Sequence, residues 1–254
     1  MSTPDQEIPA ANGQTGSFPI TQWSLVVHAG AADTRAHAAM EKLCRQYWYP
    51  LYAFVRRQGR DHHAAEDCVQ EFLARLLAAD GISRARREQG RFRTFLLTAL
   101  RNFLINDWQR GQAAKRGGGR PVMSLDGQDA SQRFALEPVD AALSPDQAFD
   151  RSWAQGVIAG AIEQLRVEYE TGGRGRLFVT LAPLVWGQPP ADAHAELAAQ
   201  LGLKDQAFNV ALHRLRRRLG ERLRATVAET VADSADVDAE VRHLIAAVGG
   251  ASGA

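Results

Sequence analysis

Apolar residues in this chain recur at three- and four-residue steps, and no alternating run with hairpin chemistry appears. In Asp61–Leu77, Ala65, Val69, Phe72 and Leu76 share one helical face, while Asp67, Gln70 and Glu71 point away from it. Arg91–Arg110 places Phe95, Ala99 and Phe103 at i, i+4 and i+8, which assigns both phenylalanines to a core. Ser144-Pro145-Asp146 reads as a helix start, with Ser as N-cap and Pro in the first turn. Helical periodicity runs from there through Leu165 and resumes over Gly175–Val185. Residues 194–224 read as a helix, a turn centred on Gly202 and a second helix. In that second helix Leu212, Leu215 and Leu219 fall within about forty degrees of Phe208. Their stripe should pack on Ala191–Gln200 through Leu197 and Leu201. A last amphipathic helix is expected over Asp236–Val248, through Val241, Leu244, Ile245 and Val248. The fold class is therefore all-α.

Breaks in this pattern divide the chain. Residues 1–20 are polar, rich in Pro, Gly and Gln, and predict a disordered tail. Residues 112–145 carry GGGRP, SLDGQD and LSP, the chemistry of a flexible linker. Two helical lobes are expected, 21–111 and 146–230, with a carboxy-terminal extension over 231–254.

Charge sharpens this picture. The net charge of the 254 residues is only +1, but it is segregated. Residues 91–120 hold seven Lys/Arg against one acid, and 204–224 hold seven against two. Residues 126–150 between them hold six acids and one Arg. Separate basic patches on a nearly neutral chain suit localised phosphate binding. Cys44 and Cys68 show no ligand spacing and read as buried thiols in a reducing compartment. With no apolar leader and no membrane-length run, the expectation is a cytoplasmic protein without a membrane partner.

The second helix of the pair presents Gln206, Asn209, Val210, His213 and Arg217 opposite its apolar stripe, side chains able to read base edges or grip backbone. Lys204 and Arg214 join this set, and Arg216, Arg218, Arg222 and Arg224 would serve phosphates. Lys204 stands where an N-cap is expected; either Asp205 caps one residue late or a phosphate of bound DNA occupies the helix start beside Lys204.

The runs AAEDCVQEFLARLL (64–77) and GRFRTFLLTALRNFLINDWQR (90–110) resemble region 2 of bacterial RNA polymerase sigma factors. The helix pair at 191–224 resembles region 4, and the order of the two matches the extracytoplasmic-function (ECF) type. The resemblance implies two partners, core RNA polymerase and promoter DNA. It implies that Glu66, Asp67, Gln70 and Glu71 face the clamp of the polymerase. It gives −35 recognition to Lys204, Gln206, Asn209, Val210, His213, Arg214 and Arg217. It gives −10 recognition and melting to Arg84, Arg86 and Arg87 in the loop 80–89, and to the helix that follows. There Arg91, Arg93, Arg101 and Arg110 supply charge, and Phe92, Asn102 and Trp108 meet bases or backbone.

No catalytic set and no cofactor motif is visible, so an enzyme is not expected. His62, His63, Glu66, Asp67 and Cys68 have the composition of metal ligands but lack HExxH or a second Cys/His pair, so no metal is expected. The GGGR at 117–120 lacks the GK[ST] of a P-loop. Two further readings stand beside the resemblance. One is a two-lobed repressor or activator that never joins polymerase. The other is an adaptor whose linker serines (Ser124, Ser131, Ser144) and acidic tail (229–240) meet an anti-sigma factor or regulatory kinase.

Overall fold

The computed structural model describes Trp23, Val26, Phe134 and residues 34–78, 91–113, 143–187 and 191–249, with backbone alone for 108–113, 191 and 192. The expected tail, the loop 80–89 with Arg84, Arg86 and Arg87, and most of the linker with Ser124 and Ser131 lie outside these residues. Among the described residues the fold is all-α, with eight α-helices. They are α1 (Thr34–Arg57), α2 (His62–Leu77), α3 (Phe92–Ala113), α4 (Pro145–Thr171), α5 (Gly175–Leu181), α6 (Ala191–Gln200), α7 (Asp205–Ala228) and α8 (Val237–Gly249). The isolated extended contact described is an antiparallel bridge between Arg91 and Val231.

The local signals act where the sequence places them. Asp61 caps α2, its side chain accepting from the Ala64 N–H at 2.8 Å. Ser144 and Gln147 form a reciprocal capping box at the start of α4, with Pro145 in the first turn. Gly173 (φ 69°) and Gly202 (φ 66°) end α4 and α6 in the left-handed conformation. At each, the next residue's N–H reaches back five positions, Arg174 to Tyr169 O and Leu203 to Ala198 O. One local expectation fails. Asp205 does not cap α7; Lys204 occupies the cap position without a side-chain bond, and Asp205 lies inside the first turn.

Two hydrophobic clusters organise the helices. The first joins α1, α2 and α3 with Trp23, and takes in Phe149, Trp153 and Ala154 of α4, Val227 of α7 and Leu244 of α8. Aromatic rings dominate it: Tyr47 meets Phe92 edge-on at 5.0 Å and stacks on Trp153 at 6.3 Å. The second joins the end of α4 to α5, α6 and α7 through Ala161, Leu165, Tyr169, Phe178, Leu181, Ala198, Phe208, Leu212, Leu215, Leu219 and Leu223. Val157 and Ile158 pack against both clusters.

Helical geometry explains how α4 serves both. Its apolar residues step by four, through Phe149, Trp153, Val157, Ala161, Leu165 and Tyr169. Each such step turns about 40° around the axis, so the stripe winds to nearly the opposite face over about 30 Å. One core lies against its beginning and the other against its end. At the far terminus, Ile245 departs from its expected place in the core face of α8; it is 54% exposed while Leu244 is fully buried.

Candidate nucleic-acid interface

Helix α7 is built as its stripe predicts. Phe208, Leu212, Leu215 and Leu219 are buried, and Lys204, Gln206, Asn209, Val210, His213, Arg214 and Arg217 all lie on the exposed side. Leu197 of the preceding helix and Leu201 just beyond its end pack against that stripe, as does the buried Ala198. His194 fixes the crossing of α6 over α7: its ring meets Phe208 edge-on at 4.7 Å, and its Nε2 lies 3.0 Å from Asn209 Oδ1. Arg217 pairs with Glu221 one turn on at 3.4 Å.

The remaining arginines of α7 divide into two kinds. Arg216 is turned away from the phosphate-binding role expected of it. It donates to the carbonyls of Leu184 (2.8 Å), Val185 (3.2 Å) and Gly187, tying α7 to the turn after α5. Arg218 and Arg222 share Glu168 of α4, at 2.8 and 3.1 Å, and Arg224 pairs with Asp238 of α8 at 2.7 Å. Beside Arg214, Arg217 and Arg218 opens a groove also lined by Tyr169, Glu221 and Arg174. Arg174 was not legible as a site residue. It enters from the turn after α4 and lies 4.8 Å over the Tyr169 ring. The glycines flanking it in GGRG are the signal that such a turn exists.

Helix α3 distributes its expected contacts unevenly. Arg101 and Asn102 are exposed, and Arg101 pairs with Asp146 at the start of α4. Trp108 and Arg110 lie on the last turns of α3, where only the backbone is described. Phe92 and Arg93 are placed inside. Phe92 is fully buried against Trp23, Tyr47 and Phe95, so its ring is not open to a base in this arrangement. Arg93 Nε lies 2.8 Å from Glu240 Oε1, its Nη2 lies 3.2 Å from Oε2, and its Nη1 lies 3.2 Å from Asp150 Oδ1. Burial pulls the Arg93 pKa down, but the bonds and charge of Glu240, with Asp150, more than offset it and hold it above the ordinary value. Arg91 Nη1 reaches the same Glu240 carboxylate at 3.2 Å. Glu240 is fully buried, so it is an interior acid and not part of a free acidic tail.

On α2, Asp67 and Glu71 are exposed, and Glu66 and Gln70 are half-buried at the border of the core face. Glu71 pairs with Arg75 on the next turn, and Arg75 in turn lies 5.2 Å over the Phe103 ring. At the start of α2, donor atoms of His62, His63 and Glu66 come within 4.8 Å of one another, while Cys68 is turned into the core. His62 Nδ1 is hydrogen-bonded to the Tyr52 hydroxyl at 2.9 Å, and its Nε2 lies 3.8 Å from Glu66. Both cysteines are free, buried thiols. Burial, reinforced by the charge of Glu41, pushes Cys44 up to about 12, and burial pushes Cys68 to about 11.

No described helix is long and apolar enough to cross a membrane. Residues 43–114 match the family model of Sigma-70 region 2, a span running from within α1 through α3. The match supports a sigma-factor role in promoter recognition, with core RNA polymerase and promoter DNA as the partners that the family implies. Neither a curated protein nor a solved structure matches the chain significantly.

Proposed function

We propose that this chain, with its Sigma-70 region 2 match at residues 43–114, is a sigma factor of the ECF type. It binds core RNA polymerase through Glu66, Asp67, Gln70 and Glu71 of α2. It meets −35 duplex DNA with Lys204, Gln206, Asn209, Val210, His213, Arg214 and Arg217, the α6–α7 pair acting as a helix-turn-helix. It recognises and melts the −10 element with the loop 80–89 and α3. The chemistry is binding energy applied to strand separation, without a covalent step.

The observation that carries this reading is the acidic face of α2 inside the region 2 match. Asp67 and Glu71 stay outside a core that buries Ala65, Val69, Phe72 and Leu76 beside them, and a simple repressor has no use for such a face. The test is in vitro transcription with purified core polymerase, on promoters mapped by run-off sequencing. Discrete transcripts that vanish in the Asp67→Lys/Glu71→Lys variant are expected. A chain that binds duplex DNA tightly yet never associates with core enzyme is instead a two-lobed repressor or activator.

A further inference from the structure

Resting on the promoter reading, we infer that α8, with the acids at the start of α4, is an internal acidic ligand of α3 that competes with DNA for its arginines. Three of the four cations that the −10 reading takes from residues 91–110, Arg91, Arg93 and Arg101, are each paired with an acid from the carboxy-terminal half. Arg93 is held in a two-pronged contact by Glu240 and bonded to Asp150. Arg91 lies 3.2 Å from Glu240 and 3.6 Å from Asp236, and Arg101 meets Asp146. A planar guanidinium gripped by two carboxylate oxygens has the geometry in which it grips a phosphate. Glu240 therefore occupies the place that a backbone phosphate would take.

The backbone closes the same surface. Thr230 O accepts the Phe92 N–H at 2.9 Å, the first amide of α3, and Glu229 O accepts the Trp23 N–H at 2.9 Å. Val231 then bridges Arg91. The segment between α7 and α8 thus lies across the start of α3, and α8 seals it with Leu244. His243 of α8 adds a contact to Asp150, Nε2 to Oδ2 at 3.1 Å.

A fully buried carboxylate is costly unless its cationic partners stay, and Arg93, itself largely buried, would face a smaller penalty of the same kind without it. The cover is therefore stable only while both sides remain together, and its acids can be exchanged for another set of anions. Promoter DNA, presenting a row of phosphates, is such a set. Contact of α3 with melted DNA and docking of α8 are mutually exclusive, and the free chain rests in the covered state.

The test uses the full chain and a fluorescein-labelled, mixed-sequence 20-nucleotide single strand. Relative to wild type, Glu240→Gln/Asp150→Asn is expected to bind the strand about tenfold more tightly, because two competing anions are gone. Adding Arg91→Gln/Arg93→Gln should abolish the gain. Unchanged affinity in a variant with native helicity overturns the inference. Should that variant lose its fold, hydrogen exchange on the wild-type chain decides: the amides of 237–249 should lose protection when the strand is added at saturation. Full protection retained there, or no strand binding at all, overturns it. Association with core polymerase, measured on the same samples, reports on the sigma reading separately and should be equal for wild type and Glu240→Gln/Asp150→Asn.

Discussion

His194 and Asn209 hold each other across the glycine turn between α6 and α7, the imidazole Nε2 lying 3.0 Å from the amide Oδ1. The same imidazole stands edge-on to Phe208 at 4.7 Å, so one side chain both seals the core and orients a polar residue on the exposed face. Asn209→Ala removes one exposed hydrogen bond and should change stability by no more than about 1 kcal/mol. If Asn209 reads a base edge, the loss in duplex affinity should be about 1–3 kcal/mol, against that base only. Urea denaturation and fluorescence anisotropy on matched and mismatched −35 duplexes separate the two.

Gly202 supplies a backbone conformation and nothing else. At φ 66° it lies in the left-handed region, and a Cβ added there would meet no atom within 4 Å. Gly202→Ala should therefore cost about 1–2 kcal/mol through backbone strain alone. Its duplex affinity per folded molecule should stay unchanged. Denaturation midpoints compared with affinity at low temperature check this.

Trp153 carries an unusual share of the first core. It stacks on Tyr47 at 6.3 Å and lies 5.7 Å from the Arg93 guanidinium, and it is 2% exposed. Trp153→Ala should lower stability by about 3–5 kcal/mol, the range for a buried aromatic lost to a cavity. Arg93 would lose its aromatic face but keep Glu240. Calorimetry of the variant, with Trp153→Phe as the milder control, measures it.

The buried thiols set an alkaline limit. Both pKa values are raised in the folded chain, so the stability that this contributes is complete below pH 9 and falls as pH rises toward about 12 for Cys44 and about 11 for Cys68. Cys44→Ala/Cys68→Ala should flatten the alkaline arm of the stability profile. At neutral pH, a thiol reagent should label neither cysteine of the native chain and both in denaturant.

Much of the fold was legible because its signals are local. The wheel of α2 separated Ala65, Val69, Phe72 and Leu76 from Asp67, Gln70 and Glu71, and burial follows that division, with Gln70 half-covered at its border. Ser144 and Gly202 announced helix ends with side-chain and backbone chemistry that needs no distant partner. The spacing of Phe95 and Phe103 assigns both to a core, and they are 4% and 8% exposed. What periodicity does not encode is the partner. Glu240 looks like one more acid in a polar tail until Arg91 and Arg93, some 150 positions earlier, are seen to surround it. Phe92 begins its helix and reads as a free ring, but Trp23 and Tyr47, from much earlier in the chain, close over it. Arg216 is indistinguishable in sequence from its neighbours, and only the carbonyls after α5 give it a separate task.

The winding stripe of α4 also fixes what this chain can be cut into. Phe149 and Trp153 complete one core and Leu165 and Tyr169 the other, with Val157 and Ile158 common to both. A fragment ending before residue 145 leaves Tyr47 and its neighbours without their lid; one beginning there carries two bare aromatic rings into water. Each half should therefore lose stability when cut from the other, and heat should dissolve both cores together.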